Sequence, residues 1–73
     1  IKAEVIELQA GNGSKITKKP LNKLRLPDGC VIGGVLHDGK VEIATGVTHI
    51  ETGDRVMVFC LPEAVDKVSQ LFQ

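Results

Sequence analysis

Two histidines, His37 and His49, and two cysteines, Cys30 and Cys60, are the side chains in this 73-residue chain best suited to proton transfer, nucleophilic attack or metal binding. Zinc and redox motifs hold their ligands at short fixed spacings, whereas the two cysteines lie thirty positions apart in separate strand-like apolar stretches. They read as small hydrophobes in a reduced compartment. His37 falls next to a hairpin tip and His49 inside a loop, with no Cys, Asp and His set at ligand spacing, so both read as solvent-exposed. Ser14 and Ser69 lack the base and orienting acid of an activated nucleophile. Gly11-Asn12-Gly13 lacks the third glycine and the strand-to-helix setting of a dinucleotide fingerprint. Lys40, after Asp38-Gly39, sits where a lipoyl or biotinyl carrier has its modified lysine, but without that carrier's paired flanking residues. The expectation is a chain with no catalytic residue, no metal site and no NAD site of its own.

Charge supplies one candidate binding surface. Formal net charge is zero, so the overall field gives no reason to expect nucleic acid or an anionic bilayer as partner. Lys15, Lys18, Lys19, Lys23 and Arg25 nevertheless occupy an eleven-residue stretch without an acid, while most acids follow residue 37. That stretch reads either as a solvated basic face or as a patch for an anionic ligand or an acidic partner. No apolar run reaches membrane-spanning length, and the longest, Val56 to Leu61, suits a strand.

The elements that position these groups must fit one domain, residues 1–73. The chain begins with Ile1 and has Met57 as its single methionine, which suggests a piece of a longer protein. Area scaling gives a folded surface of about 4,400 Å² against about 11,300 Å² unfolded, so only around 60 % is buried on folding. With no Trp or Tyr, two Phe and no disulfide framework, such a core is expected to gain support from a second copy.

Lys2 to Gln9 reads as a strand with Ala3 and Val5 on one side and Ile6 and Leu8 breaking the pattern. Gly11 to Ser14 is a turn, and a short helix is predicted between Lys18 and Leu24 with Pro20 in its first turn. Cys30 to His37 reads as a strand interrupted by a bulge or close approach at Gly33-Gly34. Asp38-Gly39 predicts a tight hairpin into a strand from Lys40 to Ala44. Val47 and Ile50 are expected beneath the turns that follow. Arg55 to Leu61 is a strand apolar on both faces, and Pro62 begins an amphipathic helix carrying Ala64, Val65, Val68, Leu71 and Phe72. The predicted fold class is α+β: a small four-stranded, mainly antiparallel sheet covered by a short helix and a C-terminal helix, with its other face left for a second copy. Gly33, Gly34, Val56 and Val58 are the residues expected to pack there.

Order and spacing then carry a resemblance over residues 2 to 73. The segment Ser14-Lys15-Ile16-Thr17-Lys18-Lys19-Pro20-Leu21-Asn22-Lys23-Leu24-Arg25-Leu26-Pro27, then Gly29-Cys30-Val31-Ile32-Gly33, the hairpin, and Gly53-Asp54-Arg55-Val56-Met57-Val58-Phe59 resemble the TrkA C-terminal domain family, the regulators of potassium conductance. The closing Val68-Ser69-Gln70-Leu71-Phe72-Gln73 looks most like the potassium-uptake, nucleotide-binding-subunit branch of that family. Lys18 stands where the family usually has Gly and Lys23 where it usually has an acid. The resemblance implies a non-enzymatic, cytoplasmic, ligand-sensing domain of a bacterial or archaeal protein, following an NAD-binding Rossmann domain. It implies a homodimer within a larger ring on a potassium-transporter membrane subunit at the inner face of the membrane. In some relatives the dimer cleft takes a cyclic dinucleotide, which would place Lys23, Arg25 and Ile32 at a ligand. A regulatory tail of a cation antiporter or permease, and an assembly domain without a ligand, are the alternatives.

Overall fold

The computed structural model describes residues 2–73. Four strands, β1 (Glu4–Gln9), β2 (Cys30–His37), β3 (Lys40–Ile43) and β4 (Arg55–Cys60), form one antiparallel sheet in the order β1-β4-β2-β3. The single α-helix among the described residues, α1 (Val65–Gln70), follows a 3₁₀ turn at Pro62–Ala64. The α+β class, the antiparallel sheet and the covering C-terminal helix agree with the sequence reading.

Strand β4 buries alternate residues because successive side chains point to opposite faces, whereas the edge strand β3 is exposed throughout. On β4 the buried set is Val56, Val58 and Cys60, directly between Ile6 and Leu8 of β1 and Ile32 and Val35 of β2. Helix α1 lays Val68 on this layer, flanked by Ala64 and Phe72, in the three-to-four spacing that lines one helix face. Ile16, Leu21 and Ile50 close the core from the connecting segments.

Two local features follow directly from residue type. Asp38 and Gly39 have φ of 47° and 78°, the positive pair that a two-residue hairpin turn demands. The β2–β4 register slips between Ile32 and Gly34, so Gly33 is the extra residue of a bulge.

Several sequence expectations need correction. Between Lys15 and Lys23 there is no α-helix but two 3₁₀ turns, Lys15–Thr17 and Leu21–Lys23, with Pro20 at the N-cap of the second. Proline lacks the N–H that a continuous helix through this point would need. On β1 the inward residues are Ile6 and Leu8, while Val5 is exposed. Ile50 is buried, but Val47 lies on the surface of its turn. Val56 and Val58, expected to pack against another copy, are fully buried inside the chain's own core. Period-two alternation leaves only Arg55, Met57 and Phe59 to face outward from β4.

Candidate functional site

Helix and turns cover one face of the sheet, and the other is open and apolar. Val31 (62 % exposed), Met57 (44 %) and Phe59 (47 %) lie along its centre, and Val41 and Ile43 (75 % each) extend it on the edge strand β3. Gly33 and Gly34 contribute backbone where side chains would otherwise stand. The result is a depression of about 490 Å³ between β2, β3 and β4. Arg55 and Glu7 join across its rim in a 3.1 Å ion pair. Apolar area of this kind marks a surface that meets something other than water. The face was legible from the two-sided apolar character of β4, although Val56 and Val58 occupy its hidden side.

The basic stretch lies elsewhere. Lys15, Lys18, Lys19, Lys23 and Arg25 are all exposed, and none has a carboxylate within 4.0 Å among the described residues. Lys15 and Arg25 flank a depression of about 290 Å³ floored by Ile16, Leu24 and Leu71. Ile32 is 8 % exposed and belongs to the core, bordering a separate groove with Leu21, Leu26 and Ala44. The structure therefore does not gather Lys23, Arg25 and Ile32 around one cavity: Lys23 lines neither depression, and Arg25 and Ile32 line different ones.

A third constellation escaped the sequence reading. His37, at the end of β2, has Nδ1 hydrogen-bonded to Oδ1 of Asp54. Its Nε2 lies 3.3 Å from Oδ2 of Asp38 and 3.5 Å from Oε2 of Glu51. Asp54 is itself buried, and its second oxygen accepts the backbone N–H of Glu51 at 2.9 Å while its own N–H donates to the Glu51 carbonyl at 3.0 Å. The two bonds close the turn 51–54, with Gly53 supplying the positive φ of 91°. The Asp54 hydrogen bond, then the Asp54 charge, with smaller contributions from Asp38 and Glu51, outweighs burial and raises the His37 pKa above its ordinary 6.5. Leu36 pairs with Arg55, so the next residue of β2 comes opposite the residue before β4. Only that register brings His37 to Asp54, and residue spacing alone does not disclose it. His49, by contrast, is an exposed loop histidine whose Nε2 lies 2.8 Å from the Thr17 carbonyl oxygen.

The cysteines are cross-strand partners, Cys30 on β2 opposite Cys60 on β4, and both are free. Partial burial, with Cys60 beside it, pushes the Cys30 thiol pKa up, the reverse of an activated nucleophile.

Comparison with known proteins adds the following. The TrkA-C domain family matches residues 5–73. The Trk system potassium uptake protein TrkA homolog 2 of Methanosarcina mazei is 46 % identical over 72 residues, covering 99 % of this chain and 16 % of that protein. The Trk system potassium uptake protein TrkA of Azorhizobium caulinodans is 36 % identical over 70 residues, covering 96 % of this chain and 15 % of its own. This chain thus spans about one sixth of the length of such relatives. A solved structure described as "Structure of RCK domain with cda" has the same fold, with a TM-score of 0.83 at 22 % identity, over 94 % of this chain and 97 % of that one. Since that chain is matched almost end to end, the fold stands there as a unit of its own.

Proposed function

The chain belongs to the TrkA-C domain family, and from that premise we propose that it is the regulatory, ligand-sensing and dimerising domain of a potassium-uptake protein. It acts by binding and by changing the geometry of a homodimer, not by catalysis. The observation that carries this reading is the open apolar sheet face centred on Met57 and Phe59. The chain exposes 4933 Å². That is about 500 Å² more than the roughly 4,400 Å² expected for its mass, in keeping with a face that a second copy covers. Gly34 would then let the partner approach the β2 backbone, while Gly33 seats the Phe59 ring on the same face.

In the whole protein, two such domains would sit within a larger ring on the cytoplasmic side of a potassium-transporter membrane subunit, beside an NAD-binding domain. No helix among the described residues is long and apolar enough to cross a membrane, so contact with the bilayer would run through that partner. The unpaired basic face, with Arg25 and Lys15 at an apolar depression, favours an anionic ligand, and a cyclic dinucleotide fits the combination of phosphate charge and base surface. A ligand that binds one dimer geometry better than another would couple to the transporter with about 1 to 3 kcal/mol.

Analytical ultracentrifugation of the chain, alone and with nucleotides and cyclic dinucleotides, tests the reading. A dimer that responds to one of these ligands is the expected result. A dimer indifferent to all of them would reduce the domain to assembly, and a stable monomer at micromolar concentration would remove the dimer mechanism.

A further inference from the structure

We propose that Cys30 and Cys60 form a redox modification site, an intramolecular disulfide across β2 and β4 that small-molecule disulfides make and small thiols undo. Strand register places the pair. Cys30 stands directly opposite Cys60, and the neighbouring Leu61 N–H donates to the opposed Gly29 carbonyl at 2.8 Å. Bonded and non-bonded pairs alternate along an antiparallel ladder, so Gly29–Leu61 is of the hydrogen-bonded kind and Cys30–Cys60 of the closer kind, with Cα atoms about 4.5 Å apart. A disulfide needs Cα atoms about 4.4–6.8 Å apart. Directly opposed residues send their side chains to one face of the sheet, here the covered face, where Cys60 is buried and Cys30 packs against the core.

The Cys30 thiol donates to the Pro27 carbonyl at 3.2 Å, a weak bond that rotation about χ1 exchanges for contact with Cys60. Access is one-sided. Cys60 is 2 % exposed, whereas Cys30 borders the groove of about 280 Å³ shared with Leu21, Leu26 and Ala44. Cys30 therefore reacts first: its thiolate attacks one sulfur of the small disulfide, that S–S bond breaks, and one thiolate leaves. Cys60 then loses its proton and attacks the Cys30 sulfur, expelling the second thiolate. Two protein thiols are oxidised, the small disulfide is reduced to two thiols, and the protons lost by the cysteines end on those thiols. Burial keeps Cys30 protonated, so the exchange is slow and gains about tenfold per pH unit below the thiol's pKa. In a reduced compartment the pair rests as thiols. Once formed, the bond would fasten β2 to β4 beside the Val31–Phe59 pair of the open face, whatever occupies that face.

The test holds the 73-residue chain, first fully reduced, in mixtures of oxidised and reduced glutathione at set ratios. Mass spectrometry, non-reducing gels and thermal unfolding follow the outcome. The parent is expected to lose the mass of two hydrogens without cross-linking to another chain, to unfold at a higher temperature once oxidised, and to recover its mass in dithiothreitol. A bond that suits the native fold also stabilises it, so the folded chain should resist reduced glutathione about 100-fold better than the same chain in urea. Cys60→Ala should stop at a glutathione adduct on Cys30, and folded Cys30→Ala should stay unmodified. No oxidation at any ratio, a disulfide between two chains, a parent adduct that never closes, modification of folded Cys30→Ala at the parent's rate, or equal resistance in urea would each overturn the proposal.

Discussion

Gly33 lies directly beneath the ring of Phe59: a methyl group added at Gly33 would stand 2.5 Å from Cε2 and 3.1 Å from Cδ2 of that ring. Phe59 is half exposed, so the ring can swing away at small cost to the fold. Its place on the open sheet face would change, however. Gly33→Ala is expected to lower the unfolding midpoint only slightly and to weaken self-association at least tenfold. Sedimentation equilibrium beside a thermal melt separates the two effects, and association at the parent's strength would sink the prediction.

Neighbouring residues of β4 should separate even more sharply, because Met57 faces outward and Val58 inward. Val58→Ala removes two methyl groups from a fully buried site and should destabilise the chain by about 2 kcal/mol. Met57→Lys leaves the core intact and should leave stability within about 0.5 kcal/mol when measured on the monomer. It should also abolish dimer formation. Chemical denaturation and ultracentrifugation of both variants decide the matter; a Met57→Lys dimer would show that the partner docks elsewhere.

Much of this arrangement was legible before any coordinates, for reasons that particular residues make plain. Asp38-Gly39 and the Gly33-Gly34 interruption are local signals, since positive φ and a missing side chain act where they stand. Val58 was misassigned because alternation names two faces without naming which is covered. That choice is made by Val68 and Phe72 of the C-terminal segment packing on one side. The cluster at His37 depended on strand register, a relation between residues 17 positions apart that no local pattern encodes. Its one sequence trace is the Gly53-Asp54 turn, where a buried acid before a strand invites a partner.

Ser14 offers a test in the opposite direction. Its hydroxyl oxygen is buried without a hydrogen-bond partner among the described residues, and it makes no cap to the 3₁₀ turn that follows. A buried polar group that pays desolvation without a bond is a net cost, and removing it is neutral or favourable. Ser14→Ala should therefore leave the chain as stable as the parent or stabilise it by up to about 1 kcal/mol. Its backbone bonds, N–H to the Gly11 carbonyl and carbonyl to the Thr17 hydroxyl, survive the change. A loss of more than about 1 kcal/mol in urea unfolding would mean that the hydroxyl has a role these contacts do not reveal.

Acid–base linkage at His37 gives the last prediction. The imidazole's folded pKa is raised above the unfolded 6.5, chiefly by the Asp54 hydrogen bond and charge, so the folded state holds the proton more tightly. Stability from this source is fully present below pH 6.5 and is lost as the pH rises through the higher folded value. The unfolding midpoint of the parent should fall across that window and level off beyond it. His37→Asn removes the titrating group, so its profile should stay flat over the same range, and the two curves should converge as the pH rises. The two carboxylates at Nε2 act on the same proton, and Glu51→Gln should shrink the step without erasing it, since Asp54 makes the largest contribution. Parent and His37→Asn profiles that run parallel throughout would show that the contact with Asp54 does not couple protonation to folding.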